Sequence, residues 1–181
     1  WTKAIETAQS LQSETGEGRA REIANFHCEL AALDVTHSRP AEAVANLELA
    51  LAANRKCVRA SMQLGDLHWA AGDAGKAIEA WKRIEQQQPA YVALVARRIL
   101  DCYRSLDRED EGIALLSGYL VHYPSLDLLD VVFQATLELR NAEAAYALVK
   151  EELRRNPTLL GLDKLLEAQI LVAPPERRQD L

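Results

Sequence analysis

His27 and Cys28 are adjacent and could be imagined as a general base beside a thiol nucleophile. That chemistry needs the imidazole within hydrogen-bond reach of the sulfur. Successive side chains on a helix point about 100° apart and do not face one another, so the dipeptide cannot supply it. His27 reads as a packing residue. His122 precedes the helix-ending Tyr123-Pro124, and with His68 it reads as structural rather than as a ligand. The run Glu109-Asp110-Glu111 has the charge to hold a cation. At the start of a helix, however, carboxylates are favoured by the helix dipole alone, and that reading is preferred.

Cys28, Cys57 and Cys102 are an odd number at wide spacing, which fits neither a disulfide framework nor paired zinc ligands and suggests a reducing compartment. A Gly-rich phosphate loop, a nucleophile elbow, a zinc-protease helix motif and a Cys-x-x-Cys pair are all absent from the sequence. The expectation is therefore no catalytic residue, no metal ligand in this segment and no enzymatic activity.

The elements that position these residues follow from composition. In 181 residues, 49% are hydrophobic but only 6% aromatic, and Ala, Leu, Glu and Arg are plentiful. That mixture favours helices over sheets and suffices for one core or one short repeat array. The formal charge of −6 disfavours nucleic acid and anionic membrane, both of which require clustered cations. No apolar run reaches the roughly 20 residues that span a bilayer, so direct membrane contact is not expected from this segment. Because Trp1 opens the chain inside a helical pattern without an initiating Met, the sequence reads as part of a longer protein.

A period of about 34 residues runs along the chain, and it is the period of tetratricopeptide repeats. Its clearest copy is 58–92, where Leu64-Gly65 precede Gly72-Asp73, Ala77, Trp81 and Pro89. Two antiparallel helices need small residues where they cross, here Gly65 and Ala77, with Leu64 and Trp81 filling the space beside them. Gly72 can end the first helix in a left-handed conformation, Asp73 can cap the second, and Pro89 cannot continue it.

The same frame fits 24–57, with Leu30-Ala31, Ala43, Leu47 and Ala50, and with Pro40 at a first helical position. It fits 93–125, with Ile99, Tyr103, Gly112, Leu116 and Pro124, and 126–158, with Val132, Ala145, Val149, Pro157 and Asn141 as a cap. In this frame His68 replaces a usual aromatic. Residues 1–14 read as the second helix of an incomplete repeat and 15–23 as a loop around Gly16-Glu17-Gly18 with a helix start. Residues 159–173 read as a capping helix, and 174–181, opening on Pro174-Pro175, as a linker or tail. The expected fold is all-α, a right-handed superhelix of antiparallel helix pairs open at both ends.

The working surface of such an array is the stripe that its first helices present at spacings of three and four. It carries Asn25, Cys28 and Val35, then Arg59, Met62, Asp66 and Trp69. Further along come Leu94, Arg97, Asp101 and Arg104, then Asp127, Asp130, Gln134 and Leu137. Arginines, acids and a Trp together suit a protein or peptide partner. The candidate partner-binding residues are Asn25, Arg59, Met62, Asp66, Trp69, Arg97, Asp101, Arg104 and Gln134. Against this, Arg97, Asp101 and Arg104 are spaced to pair with one another as an ordinary solvated face.

Finer details go beyond the repeat frame. They are Trp-Thr-Lys-Ala-Ile at 1–5, the string from Glu22 through Ala24, Asn25, Phe26, His27 and Cys28 to Leu30, Cys102-Tyr103, and Arg155-Asn156-Pro157-Thr158 before Lys164-Leu165. In these the chain resembles the lipopolysaccharide assembly protein B (LapB/YciM) family over nearly its whole length. The resemblance implies a protein on the cytoplasmic side of a Gram-negative inner membrane, held by one N-terminal helix, with repeats followed by a C-terminal rubredoxin-like metal site. It implies an adaptor that helps a membrane-bound ATP-dependent protease degrade the deacetylase of lipid A synthesis, and so sets the lipopolysaccharide level. No ligand of that metal site carries over to this chain, for which no cofactor is expected. The open ends leave room for a homodimer. The alternative from another class is a generic scaffold for assembling a secretion, pilus or other multiprotein complex.

Overall fold

The computed structural model describes residues 1–15 and 18–173 and contains ten α-helices, one 3-10 turn and no strand among the described residues. Gly16-Glu17 of the expected loop and the tail at 174–181 lie outside the described residues. The chain divides into two units, one ending at Val95 and the other beginning at Ala96.

The first unit holds α1 (Thr2–Thr15), α2 (Ala20–Thr36), α3 (Pro40–Ala53), α4 (Val58–Ala70), α5 (Ala74–Gln87) and the turn Pro89–Tyr91. Small residues dominate its interior. Ala24, Ala31, Ala43, Ala50, Ala60 and Ala80 cluster with Leu47, Leu64, Cys28 and Cys57, which lets the helix backbones come close. A second cluster joins Ile5 and Ala8 of α1 to Ile23 of α2, and Trp1 stacks on Phe26 with centroids 5.6 Å apart. At the α4–α5 crossing, Trp81 is only 1% exposed and its indole N–H donates to the Met62 carbonyl at 3.2 Å. Gly65 is what lets the ring in: a Cβ built there would lie 2.2 Å from Trp81 Nε1.

The second unit completes α6 (Ala93–Ser105) and adds α7 (Glu109–His122), α8 (Leu126–Leu139), α9 (Ala142–Arg155) and α10 (Leu159–Val172). Its interior is bulkier, with Ile99, Leu100, Leu116, Leu128, Val132, Phe133 and Val149 fully buried. Gly112 again marks a close approach, since a Cβ there would stand 2.9 Å from Tyr103 Cβ.

Helix ends follow the capping rules. Pro40 opens α3, while Asp73, Ser125, Asn141 and Thr158 each accept a backbone N–H three residues on. The turns between hairpin partners share one backbone design. Ser38, Gly72 and Asp107 take left-handed φ values of 57°, 79° and 56°. In each, the following N–H reaches back to the first helix, as Arg39 to Asp34 O, Asp73 to His68 O and Arg108 to Tyr103 O. This is a Schellman-type end. The α8–α9 turn differs: Arg140 has φ −112° and Asn141 caps directly.

Gly118 lies exposed within α7, and a Cβ there would meet nothing within 4 Å. Gly118→Ala is expected to raise stability by about 0.5–1 kcal/mol through reduced unfolded-chain entropy and better helix propensity. Thermal melting checks this, and a lowered midpoint would contradict it.

Candidate partner-binding face

In the first unit, α2 and α4 supply the candidate residues. Asn25, Arg59 and Asp66 are exposed and Met62 is half-buried. Trp69 is 39% exposed, in contrast to the core Trp81, and exposed Leu33 (43%) and Val35 (49%) on α2 add apolar surface. Arg59 Nη1 donates to Glu29 Oε1 at 2.6 Å, joining α4 to α2.

Cys28 does not belong to the stripe. It is 0% exposed because α2 is packed by both α3 and α4, and its sulfur lies 3.9 Å from that of Cys57. The side chain that reaches the surface here is its neighbour Glu29.

In the second unit, Arg97 is exposed, whereas Asp101, Arg104 and Gln134 are half-buried. The expected pairing among Arg97, Asp101 and Arg104 is not the main arrangement. Arg104 lies 3.9 Å from Asp101 but donates at 2.5 Å to Glu109 of α7 and also to Glu138 of α8. Other helices offer Arg104 carboxylates in better geometry than its own helix does. Lys164 of α10 repeats the pattern, donating to Asp130 of α8 at 2.6 Å and to Glu167 at 2.7 Å.

The remaining candidates have structural settings. His27 is buried and its Nδ1 lies 3.2 Å from Asn46 Oδ1. Asn46 donates to the buried Asp34 at 2.8 Å, and Asp34 pairs with Arg39 at 2.5 Å. This chain of partners ties α2 to α3 and compensates for burying a carboxylate. Glu109, Asp110 and Glu111 start α7 and face Arg104, Arg140 and Arg108 respectively. His68 is half-buried, and His122 ends α7 beside Tyr123. Among the described residues, no group of three or more His, Cys, Asp or Glu could hold a metal ion. Nor is any helix among them long and apolar enough to cross a membrane.

Sequence reasoning missed the pairs Arg59–Glu29, Arg104–Glu138 and Lys164–Asp130. Their separations of 30, 34 and 34 residues are close to one repeat, so opposite charges one period apart on the first helices were the available signal.

No family model matches the chain. It is similar to "Lipopolysaccharide assembly protein B" of Escherichia coli (strain K12), with 26% identity over 181 residues, 99% of this chain and 46% of that protein. The protein of the same name from Haemophilus influenzae (strain ATCC 51907 / DSM 11121 / KW20 / Rd) is 24% identical over 172 residues, covering 94% and 43%. The chain thus spans about half the length of the curated relatives it matches. Among solved structures, the crystal structure of MamA aligns with a TM-score of 0.54 at 15% identity, over 90% of this chain and 89% of that one. A tetratricopeptide repeat protein from Parabacteroides merdae ATCC 43184 gives 0.53 at 12% identity, over 99% and 70%. At these identities the likeness concerns the fold: the chain is an all-α tetratricopeptide-type array.

Proposed function

We propose that the chain is the partner-binding repeat region of a non-enzymatic adaptor that regulates lipopolysaccharide synthesis from the cytoplasmic side of the bacterial inner membrane. The observation that carries this reading is similarity to lipopolysaccharide assembly protein B along 99% of the chain, rather than along one repeat. A generic repeat frame alone would match many unrelated arrays. In this reading the partners are proteins, a membrane-bound ATP-dependent protease and the lipid A pathway deacetylase, and this segment needs no cofactor. The face carrying Asn25, Arg59, Met62, Asp66 and Trp69, and that carrying Arg97, Asp101, Arg104 and Gln134, receive them. Trp and Arg supply the apolar area and the charge-assisted bonds that dominate protein interfaces.

The test is a titration of the chain against the purified deacetylase and against the cytoplasmic part of the protease, with wild type and a Trp69→Ala/Arg97→Ala double variant. Truncated anchors of these types commonly cost about 2 kcal/mol or more each at an interface, so affinity for the true partner should fall by at least tenfold. Since Arg97 is exposed and Trp69 is at the surface, stability should change far less. Wild type that binds neither protein rules out the regulatory reading. Unchanged affinity in the double variant moves the working surface elsewhere, and a large drop in melting temperature would make Trp69 a core residue.

A further inference from the structure

The sulfurs of Cys28 and Cys57 lie 3.9 Å apart, on α2 and at the N-cap of α4, in a core that is otherwise apolar. A disulfide requires about 2.05 Å between sulfurs, so closure needs an approach of roughly 2 Å. Cys57 ends the short non-helical connection between α3 and α4, so only one of the two cysteines lies within a helix.

We propose that Cys28 and Cys57 form a redox-active thiol pair, which a hydroperoxide oxidises to a disulfide fastening α2 to the start of α4.

The two sulfurs have different roles. Cys57 is the attacking group, 7% exposed where Cys28 is 0%. Its thiol is pushed down, first by the S–H···S contact with Cys28, against the opposing effect of burial. The N–H groups of Ala60 and Arg59 in the first turn of α4 and the Arg59 charge add to this, without a formed capping bond to the sulfur. Cys28 retains its proton and is held well above the ordinary thiol range by that same bond and by burial. Cys102 is the internal contrast: burial and Asp101 push it up to about 11, and no second cysteine accompanies it.

The chemistry balances. The Cys57 thiolate attacks one oxygen of the hydroperoxide, the O–O bond breaks, and the other oxygen leaves with a proton as alcohol, or as water from hydrogen peroxide. Cys57 is then a sulfenic acid. The Cys28 sulfur gives up its proton and attacks the Cys57 sulfur, the S–O bond breaks, and hydroxide leaves as water. Two thiols have lost two electrons and the peroxide has gained them. Glu29 follows Cys28 and Arg59 lies two residues after Cys57, so the thiol pair lies beside the Glu29–Arg59 ion pair of the candidate face.

The experiment treats the reduced chain with hydrogen peroxide, then measures intact mass, free thiols and linked peptides by mass spectrometry. The expected product is lighter by two hydrogens, joins Cys28 to Cys57, retains the Cys102 thiol and reverts with dithiothreitol. Cys57 should be consumed before Cys102, which is wholly buried and has no second thiol beside it. Cys28→Ser should leave Cys57 trapped as sulfenic acid or its higher oxides. Three surviving thiols, loss of Cys102 at the rate of Cys57, or oxidation of wild-type Cys57 without a link to Cys28 would each overturn the proposal. Mapping uses the wild-type chain, so it stands even if a serine variant folds poorly.

Discussion

Gly65→Leu should destabilise the first unit severely, and Gly65→Ala should do so measurably. On helix propensity alone alanine ought to gain about 0.8–1 kcal/mol over glycine. The crossing reverses that sign, because the new Cβ would lie 2.2 Å from Trp81 Nε1 and 2.5 Å from two further ring atoms. Trp81 is 1% exposed and bonded to Met62 O, so the ring cannot withdraw without opening a cavity and breaking that bond. Overpacking of this kind typically costs about 1–3 kcal/mol, with leucine at the upper end or beyond. Melting followed by circular dichroism, with the Gly118→Ala variant as the opposite case, checks it. A midpoint for Gly65→Leu equal to wild type would mean that the two helices do not cross there.

Phe133→Ala should lower the stability of the second unit by about 3–5 kcal/mol, the usual cost of emptying a large aromatic site that cannot collapse. Phe133 is 0% exposed, and Leu128, Leu129 and Val132 of the same helix are buried as well. The ring also lies 5.1 Å from Lys164 Nζ, an attraction that the truncation removes. Phe133→Leu, which keeps most of the volume, should cost less than half as much. Urea unfolding monitored at the helical band distinguishes the two, and equal midpoints for wild type and Phe133→Ala would refute the assignment.

Much of the helical framework was legible because it depends on local chemistry. Gly72 does take the left-handed turn, Asp73 and Asn141 do cap, and Pro40 does open a helix. The close packing of Gly65 on Trp81 could be read because only one residue type fits beneath an indole at a crossing. Ser38 and Asp107 could not be read in this way: they adopt the conformation of Gly72 without being glycine. There the bonds from Arg39 and Arg108 back to the preceding helix set the turn, and no residue type announces it.

The candidate face was less legible still. A stripe drawn at spacings of three and four assumes that each first helix meets its neighbours in the same way. That assumption put Cys28 in solvent, whereas α2 is covered on more than one side. Ion-pair choice escaped for a related reason. Arg104 selects Glu109 and Glu138 by geometry that arises only once separate helices have packed.

The cross-helix ion pairs have a consequence for selectivity. A ligand carboxylate that engages Arg59 shares the cation with Glu29, and one that engages Lys164 shares it with Asp130 and Glu167. In each case the cation is already neutralised before the ligand arrives, so the added Coulombic energy is small. At Arg59 and Lys164 an acidic ligand therefore gains less than it would at an unpaired cation. In the first unit, the exposed Trp69 offers an apolar contact that no such exchange involves.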